Sequence, residues 1–280
     1  MGLEIVKGSR RTVLAAGALV ATASAVGAVS GAPRASATSR HGAKPTVALV
    51  HGAFADASGW AEVVEDLQKS GYPVLAPANP LRTLHGDAAY LRSVLATIAG
   101  PIVLVGHSYG GAVITNAATG NAEVTALVYV AAFAPDQGEP VGLLQGQFPG
   151  SELDETTLDF RPYSLPDGTA SVDAYIKVDA FRAVFAADVP RSRSALMAVS
   201  QRPADARTLA EPSGAPAWQD IPSWFVVSRD DKAIPVAAQR FMARRAGGNV
   251  TEVRTSHAAM IVSPHKVSKV IMDAAEHTAR

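Results

Sequence analysis

From residue 44 onward, short apolar runs alternate with stretches whose apolar positions recur at helical spacing. That alternation is the signature of repeated strand–helix–strand units around a mainly parallel sheet. Residues 46–50, 102–105, 126–130 and 224–227 are nearly unbroken apolar runs. Strands covered on both faces read this way, because neither face has to meet water. A short run at 74–76 and a last one at 250–253 complete the predicted strands. Trp60, Val63, Val64 and Leu67 share one helical face over 60–68, and Tyr90, Leu91, Val94, Leu95 and Ile98 share another over 86–99. Gly71 and Pro73 close the first of these, since neither residue continues a helix cheaply. Further helices are predicted over 112–118, 236–246 and 264–275. The alternation breaks down after Pro135 and resumes near Pro222. Prolines and glycines are frequent there, and only 172–185 and 192–199 carry helical spacing. The expectation is an α/β domain with a helical insertion over about 136–221.

The first 37 residues follow a different pattern. Ser9-Arg10-Arg11-Thr12-Val13-Leu14 sets two arginines before an Ala/Gly-rich apolar run over 13–32, and Ala35-Ser36-Ala37 then gives a small-x-small cleavage pattern. This resembles a twin-arginine export signal. A retained membrane anchor is the competing reading, but the run is only mildly hydrophobic and the cleavage pattern follows it directly. The expectation is a leader over 1–37 removed after Ala37, and a single mature domain over 38–280 working outside the cytoplasm without stable membrane association.

Composition narrows the partners. With 25 basic and 25 acidic residues among 280, no long-range positive field draws the chain to nucleic acid or to an anionic membrane. A small molecule of neutral or mixed polarity fits better. The chain has no cysteine, which removes disulfides, thiolate metal sites and a cysteine nucleophile together.

Candidate chemistry enters where the run at 102–105 meets Gly106-His107-Ser108-Tyr109-Gly110-Gly111. A Gly-x-Ser-x-Gly between a strand and a helix is the context of a nucleophile elbow, in which small neighbours leave a serine hydroxyl exposed on a strained turn. That hydroxyl needs a base whose pKa lies near the working pH, and imidazole meets the requirement. Where such an elbow is used, the order along the chain is Ser, then Asp or Glu, then His. The eligible histidines are His257, His265 and His277. His257 falls in the loop after the last predicted strand, at the edge of a parallel sheet where active sites form. His265 and His277 fall on or beside the terminal helix, as ordinary surface residues. The orienting acid should leave the end of the preceding strand, where Asp230 and Asp231 both qualify. Asp231 is the preferred acid, with Asp230 as a solvated neighbour or an ion-pair partner of Arg229 or Lys232. Backbone N–H groups should stabilise the developing oxyanion. Tyr109 is expected to supply one, and the loop Val50-His51-Gly52-Ala53-Phe54 the other, from Ala53 ahead of Phe54.

Together, Leu49-Val50-His51-Gly52-Ala53, the Gly106–Gly111 elbow, Asp231-Lys232-Ala233-Ile234-Pro235 and Ser256-His257 resemble the bacterial α/β-hydrolase esterases related to plant methyl esterases and hydroxynitrile lyases. The resemblance runs from about Pro45 to the C-terminus. It implies the α/β-hydrolase fold, a lid formed by the insertion, and cleavage of small or medium-sized carboxylic esters through an acyl-serine, with no metal or organic cofactor. Hydroxynitrile lyases of that family carry a lysine after the catalytic histidine and a threonine after the first-strand histidine. Ala258 and Gly52 stand there, which disfavours cyanohydrin cleavage. Other cofactor-free lyase or haloperoxidase-like chemistry on the same scaffold, or a non-catalytic ligand-binding member, are the alternatives. Phe54, Tyr109, Phe133, Phe160, Tyr175, Phe181 and Phe185 are candidates either for an apolar substrate pocket or for core. Arg82 and His85, after the second strand, are expected at the surface or in a polar substrate contact.

Overall fold

The computed structural model describes residues 44–278; the expected export leader over 1–37 lies outside them. In chain order, the first half comprises β1 (Thr46–Val50), α1 (Ala61–Lys69), β2 (Val74–Leu75), α2 (Leu84–Leu95), β3 (Ile102–His107), α3 (Tyr109–Ala117) and β4 (Val124–Val130). Next come α4 (Val141–Gln147), β5 (Leu158–Ser164), β6 (Ala170–Ile176), α5 (Val178–Phe185), α6 (Arg191–Ser200), β7 (Ala204–Asp205) and α7 (Arg207–Ala210). The chain closes with β8 (Ser223–Ser228), α8 (Val236–Arg245), β9 (Asn249–Val253), α9 (Ala259–Val262) and α10 (Pro264–Thr278).

Six strands form one sheet in the order β2-β1-β3-β4-β8-β9, and every pairing in it is parallel. Because side chains alternate along a strand, successive residues serve two different cores. Ala48, Val50, Leu104, Leu127, Tyr129 and Phe225 pack with α2, α3 and α8. Val47, Leu49, Val103, Val105, Val128 and Val226 pack with α1 and α10. The apolar runs are therefore unbroken because both faces are covered, and each fully buried Val or Leu contributes about 1.5–3 kcal/mol. The outer strand β9 is exposed along most of its length and carries polar Asn249, Thr251 and Glu252, which discourages pairing with another chain.

The segment between β4 and β8 corrects the expectation of a purely helical insertion. Residues 172–176, expected to be helical, belong to β6, which pairs antiparallel with β5 and with β7. The helix starts only at Val178. In the sequence, Val172, Ala174 and Ile176 alternate with polar or half-exposed neighbours, a period of two that short windows confuse with helical spacing. Helix α2 differs from expectation in two ways: it ends at Leu95, leaving Ile98 beyond it, and Tyr90, expected on its apolar face, is exposed.

Candidate active site

A single residue, Ser108, separates the end of β3 from the start of α3, and its backbone sits at φ 55°, ψ −126°. A non-glycine residue there costs of order 1–3 kcal/mol and persists only where its surroundings impose it. They do so through backbone hydrogen bonds. Ser108 N–H donates to Val130 O at 3.3 Å, and Ser108 O accepts from Gly111 N–H at 2.9 Å and Phe133 N–H at 3.1 Å. Close backbone packing explains two of the glycines. A Cβ on Gly106 would lie 2.6 Å from Gly110 O, and one on Gly52 would lie 2.6 Å from Ser108 Cβ and 2.7 Å from His107 O. The loop after β1 thus lies directly against the elbow.

That loop is organised by His51. Its Nδ1 lies 2.9 Å from Gly52 O, which can only accept, so Nδ1 carries the proton. Nε2 then accepts the Asn79 N–H at 2.9 Å, and the Asn79 side-chain amide donates to His51 O at 3.0 Å. Burial lowers the His51 pKa, in keeping with this neutral tautomer. With the Gly52 carbonyl turned to His51, planarity of a trans peptide sends the Ala53 N–H the opposite way. Among the described residues, no protein acceptor takes the N–H of Ala53 or of Tyr109. Phe54 departs from expectation. Its φ is 60° and its N–H donates to Arg202 O at 3.0 Å, so it is not available to an oxyanion.

His257 and Asp231 are both buried and joined, with Nδ1 2.8 Å from Asp231 Oδ2. A carboxylate oxygen accepts, so the imidazole holds its proton on Nδ1 and leaves Nε2 basic. Asp231 is itself fixed by four donors: the N–H groups of Ala233 and Ile234 on Oδ1 at 2.8 and 2.9 Å, and His257 and the Gln239 amide on Oδ2. Gln239 also accepts the Ser228 N–H at 3.0 Å, so α8 locks the acid to the end of β8. His257 O accepts from His107 Nε2–H at 3.0 Å, and the two rings lie 4.6 Å apart. The imidazole of His257 therefore stands beside the residue preceding Ser108. His107 is fully buried, and that burial keeps its pKa well below the usual histidine value.

Asp230 is half exposed and pairs with Arg254 at 3.4 Å, not with Arg229 or Lys232, while Lys232 pairs with Glu152. His265 binds Asp66 at the surface, and His277 packs on Trp224. Arg82 donates to Tyr163, Asp173 and Pro203 O, and His85 lies against Glu211, so both fasten the inserted segment to the core. Tyr109 points its phenol into the core, where it donates to Asp87 at 2.9 Å. Phe133 and Phe181 are core, Phe160 is 49% exposed, and Tyr175 lies under Arg161. Of the aromatic candidates, Phe54 and Phe185 border an open cleft that Met197, Met260 and Ile261 line together with polar Asp56, Arg193 and Gln201. The edge of Phe185 meets the His257 ring at 4.8 Å. Gln239, Asn79 and the two methionines were not singled out from sequence. A polar residue at the right step of α8 was the available signal for Gln239. Among the described residues there is no cluster of three metal-binding side chains, and no helix long and apolar enough to cross a membrane.

Comparison with known proteins matches residues 47–270 to the alpha/beta hydrolase family. A pyrethroid hydrolase from Sphingobium wenxiniae is 26% identical over 83% of this chain and 88% of its own. A carbendazim-hydrolysing esterase from a Nocardioides species is 36% identical over 32% of this chain and 43% of its own. Among solved structures, polyneuridine aldehyde esterase superposes with a TM-score of 0.71 at 20% identity, covering 82% of this chain and 98% of that one.

Proposed function

The chain belongs to the alpha/beta hydrolase family, and from that premise we propose that it is a serine hydrolase of small-molecule carboxylic esters. One observation carries the proposal: the imidazole of the buried Asp231–His257 pair lies beside His107, the residue that precedes Ser108 at the strained turn. Ser108 Oγ attacks the ester carbonyl while His257 Nε2 takes its proton. The carbonyl oxygen becomes an oxyanion that accepts from the N–H groups of Ala53 and Tyr109. Asp231 stabilises the imidazolium without taking its proton. As the tetrahedral species collapses, Nε2–H returns the proton to the leaving alcohol, and the acyl group stays on Ser108. A water deprotonated by His257 then attacks the acyl carbonyl, the acid leaves, and Ser108 regains its hydrogen.

The cleft lined by Phe54 and by Phe185, whose ring meets His257, mixes apolar Met197, Met260 and Ile261 with polar Asp56, Arg193 and Gln201, which supports a substrate of mixed polarity with an apolar group on one side of the ester. The pyrethroid hydrolase and the carbendazim-hydrolysing esterase among its relatives are consistent with ester-like small molecules. The test is a panel of p-nitrophenyl esters of increasing acyl length, assayed for wild type and Ser108→Ala. At least one ester should turn over in wild type, and Ser108→Ala should lose about a thousandfold or more in kcat. Turnover that survives in Ser108→Ala, or none with any ester, removes the serine mechanism.

A further inference from the structure

The loop that carries His257 is held from two sides. On the side of the parallel sheet, Asp230 N–H donates to Thr255 O at 3.1 Å, the hydroxyls of Ser228 and Thr255 lie 3.1 Å apart, and His107 donates to His257 O. Beyond Thr255, apart from the Asp231 bond to the imidazole and the local bonds of Ala258 to Ile261 and Val262, the inserted segment adds a second set of contacts. Asp188, in the turn between α5 and α6, accepts the backbone N–H of Ser256 at 2.8 Å and also the hydroxyl of Ser256. Ala258, on the other side of His257, is buried in one apolar cluster with Phe181, Phe185 and Val189. The edge of Phe185 also stands against the imidazole, at an interplanar angle of 79°. The residues before and after His257 are therefore gripped by one stretch, residues 181–189.

Accepting the reading of Ser108 and His257 as nucleophile and base, we infer that Asp188 is a positioning residue for that base. The lid over the site is then part of the catalytic frame and not a detachable cover. The physical reason is leverage. Asp231 holds the ring by one hydrogen bond at Nδ1, about which the ring can still pivot. Nε2 lies at the far end of the side chain, so a small backbone rotation at residue 257 displaces it by more than the backbone itself moves. Charge-assisted bonds from a carboxylate are short and strong, and two of them to one residue fix both the main chain and the side chain of Ser256. They place the hinge of the imidazole in register with the elbow, which the sheet-side contacts reach only through Thr255 and the His257 carbonyl.

The test measures how fast a fluorophosphonate probe labels Ser108, a reaction that needs nucleophile and base but not a fitting ester. Asp188→Ala should label at least about tenfold more slowly than wild type, as expected when a catalytic group is slightly misplaced. Where an ester is turned over, kcat should fall and KM should hold. Asp188→Asn should recover most of the rate, because its side-chain carbonyl still accepts the Ser256 N–H. Ser256→Ala, which keeps that backbone bond and loses the hydroxyl one, should fall between. If Asp188→Ala does not fold, the Asn and Ser256→Ala variants decide on their own, by intermediate rates at an unchanged thermal midpoint. Labelling at the wild-type rate in all three variants, a rise in KM alone, or no recovery in Asp188→Asn overturns the inference. A wild-type protein that never labels defeats the serine-hydrolase reading and this inference with it, whereas a wild type that labels beside an equally reactive Asp188→Ala defeats this inference alone.

Discussion

At the scale of single residues, the site depends on a carboxylate held from several sides. Asp231 receives four hydrogen bonds, and one of them comes from Gln239, whose own carbonyl is spoken for by Ser228 N–H. A carboxylate so constrained orients the imidazole in one way only. Replacing Gln239 by Leu removes a donor from Asp231 and leaves the Ser228 N–H buried without a partner, so kcat should drop by up to about 100-fold. Asp231→Asn should be far worse, about 10⁴-fold, because an amide donor facing Nδ1 favours the wrong tautomer. Asp230→Asn, whose side chain meets only Arg254 at the surface, should stay near wild type. Steady-state kinetics on the best p-nitrophenyl ester checks the series, and an Asp230→Asn loss as large as that of Asp231→Asn would exchange their roles. Neither residue type nor spacing separates these neighbours; the turn after β8 does, by sending one carboxylate inward and the next into water.

At the scale of elements, the inserted segment has a polar centre beside its apolar cluster. Asp205, on the short strand β7, is fully buried and accepts from Arg207 three times, through its backbone N–H and two guanidinium nitrogens, from Ser171 on β6 and from Tyr163 on β5. Its burial opposes ionisation, yet these donors hold its pKa far below the ordinary carboxylate range. Arg82 extends the network to the core loop, meeting Tyr163 and Asp173. The three-stranded sheet and its attachment to the domain thus share Tyr163, which donates to Asp205 and accepts from Arg82. Asp205→Ala strands those donors and should cost about 1–3 kcal/mol. The loss should be visible as faster limited proteolysis within 158–205 before the six-stranded sheet unfolds. Unchanged proteolysis would mean that the strands hold by backbone pairing alone. The same elements explain why 172–176 is a strand although its sequence reads equally as helix: β5 and β7 offer partners on both sides, and a partner outweighs a weak propensity.

For the whole molecule, the fully buried His107 and the buried His51 stay neutral, because burial works against the charged form of each. In the unfolded chain both take up a proton near the ordinary value of 6.5. A lowered folded pKa in a base means that the unfolded state binds more protons below that point. Stability is therefore complete above about pH 6.5 and is lost as pH falls through it, by up to about 1.4 kcal/mol per pH unit for each group. Thermal midpoints should fall between pH 7 and pH 5.5, and His107→Asn should flatten that slope whatever it does to the absolute midpoint; an identical slope in the variant would show that other groups set it. The sequence by itself determined the six-stranded α/β frame, and it singled out the turn at Ser108, His257 and the neighbours Asp230 and Asp231 as candidates. Each of these is written locally, as unbroken apolar runs, small residues around a turn, and order along the chain. Only the tertiary structure decided that Asp231 and not Asp230 meets His257, that the Phe54 N–H is taken by Arg202, that 172–176 pairs as a strand, that Gln239 donates to Asp231, and that Asp188 accepts from Ser256. The reason is that a hydrogen-bonding side chain carries its capacity in the sequence but not its partner. Choosing that partner needs the distance between segments that lie tens of residues apart, and only the folded chain sets that distance.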